Sequence, residues 1–263
     1  MISLSLLQSA PAFLVATIIF ILTIVSYMLG YRTRTMIIRK NPDHSKIDLG
    51  QISGTLLALL GLLLAFTFSM SNSRFDNRRQ LVIEEANAIG TVILRTDIYP
   101  DSIRKILRAN LKEYVDNRIA FYRAGMNMEK TVDYYTKADE VSKKIWSTAA
   151  SYAKMDNVTT RTSMLIPALN EMIDITTTRR AVGEATIPDS IMYFLFTLCI
   201  GAAFLLGYEQ REKIDWIVVI GFAAMLSATV FNIIDLDRPR SALINMHKPN
   251  EKIVELRQMF DQN

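Results

Sequence analysis

Apolar and polar positions divide the chain into four long apolar runs and one charged stretch of helical periodicity between the second and third. The first run, Pro11–Gly30, holds no charged residue. At about 1.5 Å per residue it reaches about 30 Å, the thickness of a bilayer's hydrocarbon core. No lysine or arginine precedes it, and it exceeds the roughly 7–15 apolar residues of a signal peptide, so the pattern predicts a retained span. Ile52–Ser71 and Ser190–Tyr208 read the same way. Ile214–Ile234 carries one acid, Asp215, at its start, where the interface can hydrate it. Backbone groups in lipid must be satisfied within their own segment, so all four are predicted as helices. An even number of spans places both termini and residues 72–189 on one side. Loops 31–51 and 209–213 then lie opposite. The first set of loops carries Arg32, Arg34, Arg39, Lys40, Lys46, Arg211 and Lys213. Bases near the spans on the other side, such as Arg74, Arg179, Arg240 and Lys248, are about as numerous. The positive-inside rule therefore gives no orientation.

Within 72–189 no strand alternation or hairpin signal occurs. Phe75, Val82, Ala86, Ile89 and Ile93 recur on one helical face. No proline or turn cluster separates them from the second span, which predicts one helix from about Ile52 to Tyr99, stopped by Pro100. Its length is roughly 70 Å, of which roughly 40 Å lies beyond the lipid. A second helix is expected after Pro100, capped by Asp101 or Ser102, with Ile103, Leu107, Leu111, Tyr114, Ile119 and Tyr122 inward and Gly125 at its end. A third runs from about Glu129 to Met155 and ends at an Asp156-Asn157 turn. A fourth covers Thr159–Gly183, with Pro167 as a kink. Glu251–Gln262 reads as a short amphipathic helix. The expected organisation is spans in 1–71, a helical domain in 72–189, spans in 190–234 and a tail in 235–263, an all-α fold.

Composition narrows the chemistry. Hydrophobic residues make up 50 % and charged residues 21 % of the 263, with a net charge of +4. The single cysteine, Cys199, allows no intrachain disulfide, and only His44 and His247 are histidines, so no metal site and no cofactor is expected. Phosphate loops, HExxH, GxSxG and CxxC motifs are absent, which argues against an enzyme. The mild positive charge suits anionic lipid headgroups before nucleic acid. Glu84-Glu85 reads as a solvated face, because adjacent helical positions diverge. Asn232 and Glu209, near span ends, are read as hydrated at the interface. Asn87 is read as an inter-helix hydrogen bond.

Along the second span Gly54, Ala58, Gly61, Ala65, Ser69 and Asn72 form a small-residue stripe. Such a stripe serves close helix packing, or a narrow pore lining gated at Phe66 or Phe68. Arg74, Arg78 and Arg79 follow. In a ring of copies they are candidates for stacked positive rings that favour anions; snorkelling interfacial arginines are the alternative.

The run Gly61-Leu-Leu-Leu-Ala-Phe-Thr-Phe-Ser69 is followed by Arg74-Phe-Asp-Asn-Arg-Arg79 and by Val82-Ile-Glu-Glu-Ala-Asn-Ala-Ile-Gly-Thr91. With Ala168-Leu-Asn-Glu-Met-Ile-Asp174 and Asp235-Leu-Asp-Arg-Pro-Arg-Ser-Ala242, it resembles the signature of bacterial membrane proteins with a bestrophin-like domain. The resemblance implies similarity to bestrophins, pentameric anion channels whose second span lines the pore. It further implies that 72–189 and both termini are cytosolic, with the spans in the bacterial inner membrane. The expectation is a homo-oligomer, a pentamer, in the lipid bilayer that passes inorganic anions such as chloride and binds no nucleic acid. The alternative is a non-conducting scaffold or sensor whose helical domain binds a cytosolic partner.

Overall fold

The computed structural model describes residues 10–41, 49–125, 127–155, 159–238 and 247–261, with side chains from Asn250 onward in the last segment. Lys46, His44, Arg240, the Asp156-Asn157 turn and the side chains of His247 and Lys248 lie outside the described residues. Among the described residues every regular element is a helix. Four helices are long and apolar enough to cross a membrane. The chain divides into two compact units, Met1–Arg74 with Thr186–Arg238, and Phe75–Ala185 with Pro239–Asn263.

The first unit contains α1 (Ala12–Lys40), the start of α2 (Gly50–Arg95), α6 (Asp189–Glu209) and α7 (Trp216–Asp237). Val15, Ile19, Leu60, Leu195, Cys199, Val230 and Ile233 form its core. Helix α1 continues ten residues beyond the apolar run that predicted it, because nothing in Tyr31–Lys40 breaks a helix before Pro42. That extension buries Arg34, which donates to the Tyr208 carbonyl at 2.9 Å and lies 5.8 Å from the Tyr208 ring. Helices α1 and α6 cross at bare backbone. A Cβ on Gly207 would lie 1.9 Å from the Tyr27 carbonyl oxygen, and one on Gly30 would lie 2.0 Å from that of Phe204. Ser26 Oγ donates across the same crossing to the Ile200 carbonyl at 2.8 Å. In lipid no hydrophobic force draws helices together, so close backbone approach supplies the attraction. Asp215 caps α7, accepting from the Ile217 and Val218 amides. At the other end of α7 the buried Asp237 accepts the Ile187 amide at 2.9 Å and lies 4.0 Å from Arg74 Nε.

In the second unit α2 continues to Arg95, giving a single helix of 46 residues, about 69 Å long. One 3-10 turn, Thr96–Ile98, ends it before Pro100. Helices α3 (Asp101–Arg123), α4 (Met128–Ala153) and α5 (Thr159–Glu184) follow, then the short α8 (His247–Glu255) and α9 (Gln258–Asp261). Val82, Ile89, Leu107, Leu111, Tyr114, Ile145, Leu165, Leu169 and Met172 build the core, joined by Ile253 and Leu256 of the C-terminal segment. The expected cap of α3 is not formed. Pro100 occupies the cap position and Asp101 is already the first helical residue, with no side-chain cap bond. Gly125 follows α3 at a φ of 55°, a conformation that favours glycine. Asn127 caps α4 by accepting the Lys130 amide at 3.0 Å.

Candidate functional site

Helix α2 presents two sides of opposite character. Ser53, Leu60, Thr67, Ser71, Arg78 and Glu85 are buried. Their recurrence at sevens, as in Ser71, Arg78 and Glu85, keeps them on one side of the helix. Gly54, Ala58, Gly61, Ala65, Ser69 and Asn72 are all exposed, and a Cβ on Gly54 or Gly61 would meet nothing within 4 Å. The small-residue stripe is therefore left exposed by the described residues. Phe68, 43 % exposed, lies one residue from Ser69 and seven beyond Gly61, on the stripe. Phe66, 61 % exposed, instead lines an apolar groove with Leu63, Met70, Ile191 and Phe194.

The three arginines do not act together. Arg79 is exposed, Arg74 is half-buried and turned to Asp237, and Arg78 is only 4 % exposed. The reason is helical phase: Arg78 falls seven residues after Ser71 on the covered side, whereas Arg79 falls seven after Asn72 on the open side. Asp76, seven residues after Ser69, is exposed as well, so the open side carries both signs.

Glu84 and Glu85 separate completely. Glu84 is solvated as expected, but Glu85 is 0 % exposed and forms the centre of a charged cluster. Arg118 of α3, itself 1 % exposed, donates from Nε to Glu85 Oε1 at 2.5 Å. Arg179 of α5 donates to Glu85 Oε2. The Tyr122 hydroxyl donates to Glu85 Oε2 at 2.8 Å and accepts from Arg118 Nη2 at 2.6 Å, and also from Arg179 Nη1. The Arg179 guanidinium stacks on the Tyr122 ring 4.1 Å from its centre and reaches Asn250 of α8 at 3.3 Å. Burial alone would raise the Glu85 carboxyl; the charges and hydrogen bonds of Arg118 and Arg179 outweigh it and hold the pKa down at about 2. Burial raises the Tyr122 phenol, so it stays a proton donor. A sequence signal for the cluster exists. Glu85 lies one turn from both Val82 and Ile89, inside the apolar stripe, and Arg118 lies one turn from Tyr114 and Tyr122.

Other polar expectations shift. Asn87 is exposed and makes no inter-helix bond among the described residues, because its position falls on the open side of α2. Glu209 is half-buried, with its Oε1 buried and without a hydrogen-bond partner among the described residues. Asn232 is exposed and donates back to the Ala228 carbonyl at 2.8 Å. Among the described residues no group of three acids, histidines or cysteines could hold a metal ion.

No curated protein matches the chain in sequence. In fold it is similar to a bacterial bestrophin homologue from Klebsiella pneumoniae, at 12 % identity and a TM-score of 0.71 over 94 % of this chain and 99 % of that one. A single-substitution variant of a Klebsiella pneumoniae homologue gives 13 % identity and a TM-score of 0.73 over 96 % and 99 %. A crystal structure described as a membrane protein variant gives 13 % and 0.71 over 94 % and 99 %. The sequence model of the Bestrophin-like domain matches residues 12–241, and the chain belongs to the Bestrophin-like family.

Proposed function

We propose that the protein is a homo-oligomeric membrane ion channel, a pentamer, with α2 of each copy lining the pore. The observation that carries this reading is the uncovered stripe Gly54, Ala58, Gly61, Ala65, Ser69 and Asn72, on a helix that leaves the membrane without a break. Copies arranged around an axis would put that side on a shared opening, with Phe68 as its narrow point. Family membership supports the same reading, as does the fold shared with bestrophin homologues. The spans are assigned to the inner membrane, with the second unit and both termini in the cytosol. Expectation of anion preference leaned on three arginines, of which only Arg79 keeps the open side. There it stands with Asp76. The channel is therefore assigned to small monovalent ions, chloride included, without a strong preference of sign.

Purified protein in planar bilayers should carry current in potassium chloride, and Ala65→Trp should lower it about tenfold or more by filling the lining. Absence of current in the parent protein would overturn the proposal. A dimer with its α2 stripes closed on each other would favour a scaffold.

A further inference from the structure

We propose that the cluster of Glu85, Arg118, Tyr122 and Arg179 is a positioning device that fixes the rotation of α2 about its own axis, and so decides which side chains line the opening. The inference rests on the channel reading above. Its starting point is that the cluster is a poor way to gain stability. Taking the Glu85 carboxylate and the Arg118 guanidinium out of water, with Arg179 half-buried beside them, is unfavourable, and apolar side chains of similar volume often hold a fold equally well or better. The local balance is also uneven, with two positive charges to one negative, and Arg118 Nη1 is buried without a hydrogen-bond acceptor. What directional bonds supply and apolar contact does not is a single register. Glu85 Oε1 is engaged by α3, Oε2 by α5 and by the Tyr122 hydroxyl, and Arg179 extends the grip to Asn250 of α8. Glu85 can satisfy these partners in one rotational setting of α2 only.

That setting matters because α2 is one uninterrupted helix from Gly50 to Arg95. A rotation by one residue, about 100°, exchanges Ala65 and Ser69 for Phe66 and Met70. The exchange replaces a small, partly polar lining by a bulky apolar one. Glu85 thus acts on the opening through the helix that carries it, without touching an ion.

The test uses the full chain in planar bilayers, with thiol-reactive methanethiosulfonate as the probe. In the parent background, Ala65→Cys should lose current on treatment and Phe66→Cys should not. The same two cysteine substitutions are then placed in a variant with the cluster made apolar (Glu85→Leu, Arg118→Met, Arg179→Leu), which should remain folded by melting temperature. There the difference in block between the two positions should shrink at least threefold. Tyr122→Phe, which removes only the shared hydroxyl, should weaken the difference in the same direction, and it decides the matter alone should the apolar variant not fold. An unchanged pattern of block in a folded variant that conducts overturns the inference. Absence of current in the parent overturns the channel reading itself.

Discussion

The two units solve the packing of helices in contrasting ways. In the first, α1 and α6 meet where side chains are missing, at Gly30 and Gly207, with carbonyl oxygens occupying the space a Cβ would need. In the second, large polar side chains pack inside the bundle, with Arg118 and Glu85 buried and the hydroxyl of the half-buried Tyr122 bonded to both. The contrast follows from the surrounding medium. Hydrocarbon gives no reward for burying apolar surface, so attraction between spans comes from close backbone contact. A water-facing bundle gains from apolar burial, as around Leu111, Ile145 and Leu169, and that gain can carry a buried ion cluster.

The comparison can be broken most severely at the crossing. Gly207→Val places side-chain atoms on the Tyr27 backbone, which cannot retreat as a flexible side chain could. Loss of a monodisperse peak in detergent chromatography is expected, whereas the same change at Gly61, where a Cβ meets nothing, should leave that peak intact. Next in size is Glu85→Leu alone. It strands the buried Arg118 guanidinium and takes the partner of the half-buried Arg179, and should cost roughly 3–5 kcal/mol, read as a large fall in melting temperature. Acidification probes the same carboxylate more gently. Its folded pKa of about 2 lies below the unfolded value, so the contribution is whole above about pH 5 and is lost as pH falls toward 2. Melting temperature should accordingly be flat from pH 7 to 5 and fall below that, with the Glu85→Leu variant lacking this component. The smallest effect is expected for Asn127→Ala, which removes the cap of α4 for roughly 1 kcal/mol and leaves the first unit untouched.

The spans and the continuous α2 were legible because their signals are local: apolar run length, and a stripe unbroken up to Pro100. The spacing of the stripe from Gly54 to Asn72 was legible as well, but not whether other helices cover it. Two further kinds of information were not legible. The fate of Arg74 and Arg78 depends on helical phase, which treating the three arginines as a group ignored. The fate of Glu85 depends on partners 33 and 94 residues away, Arg118 and Arg179; the apolar neighbours Val82 and Ile89 signal its burial but not which side chains meet it. The cap of α3 failed for a smaller reason: proline at the boundary admitted Asp101 into the first turn.

Bare backbone contact at Gly30 and Gly207 welds two of the spans into a stator. Sliding or tilting of α1 against α6 would drive carbonyl oxygens into main chain, so that pair moves as one body or not at all. The small-residue side of α2, by contrast, is left exposed by the described residues, while Leu60 on its other side packs into the core of the membrane unit.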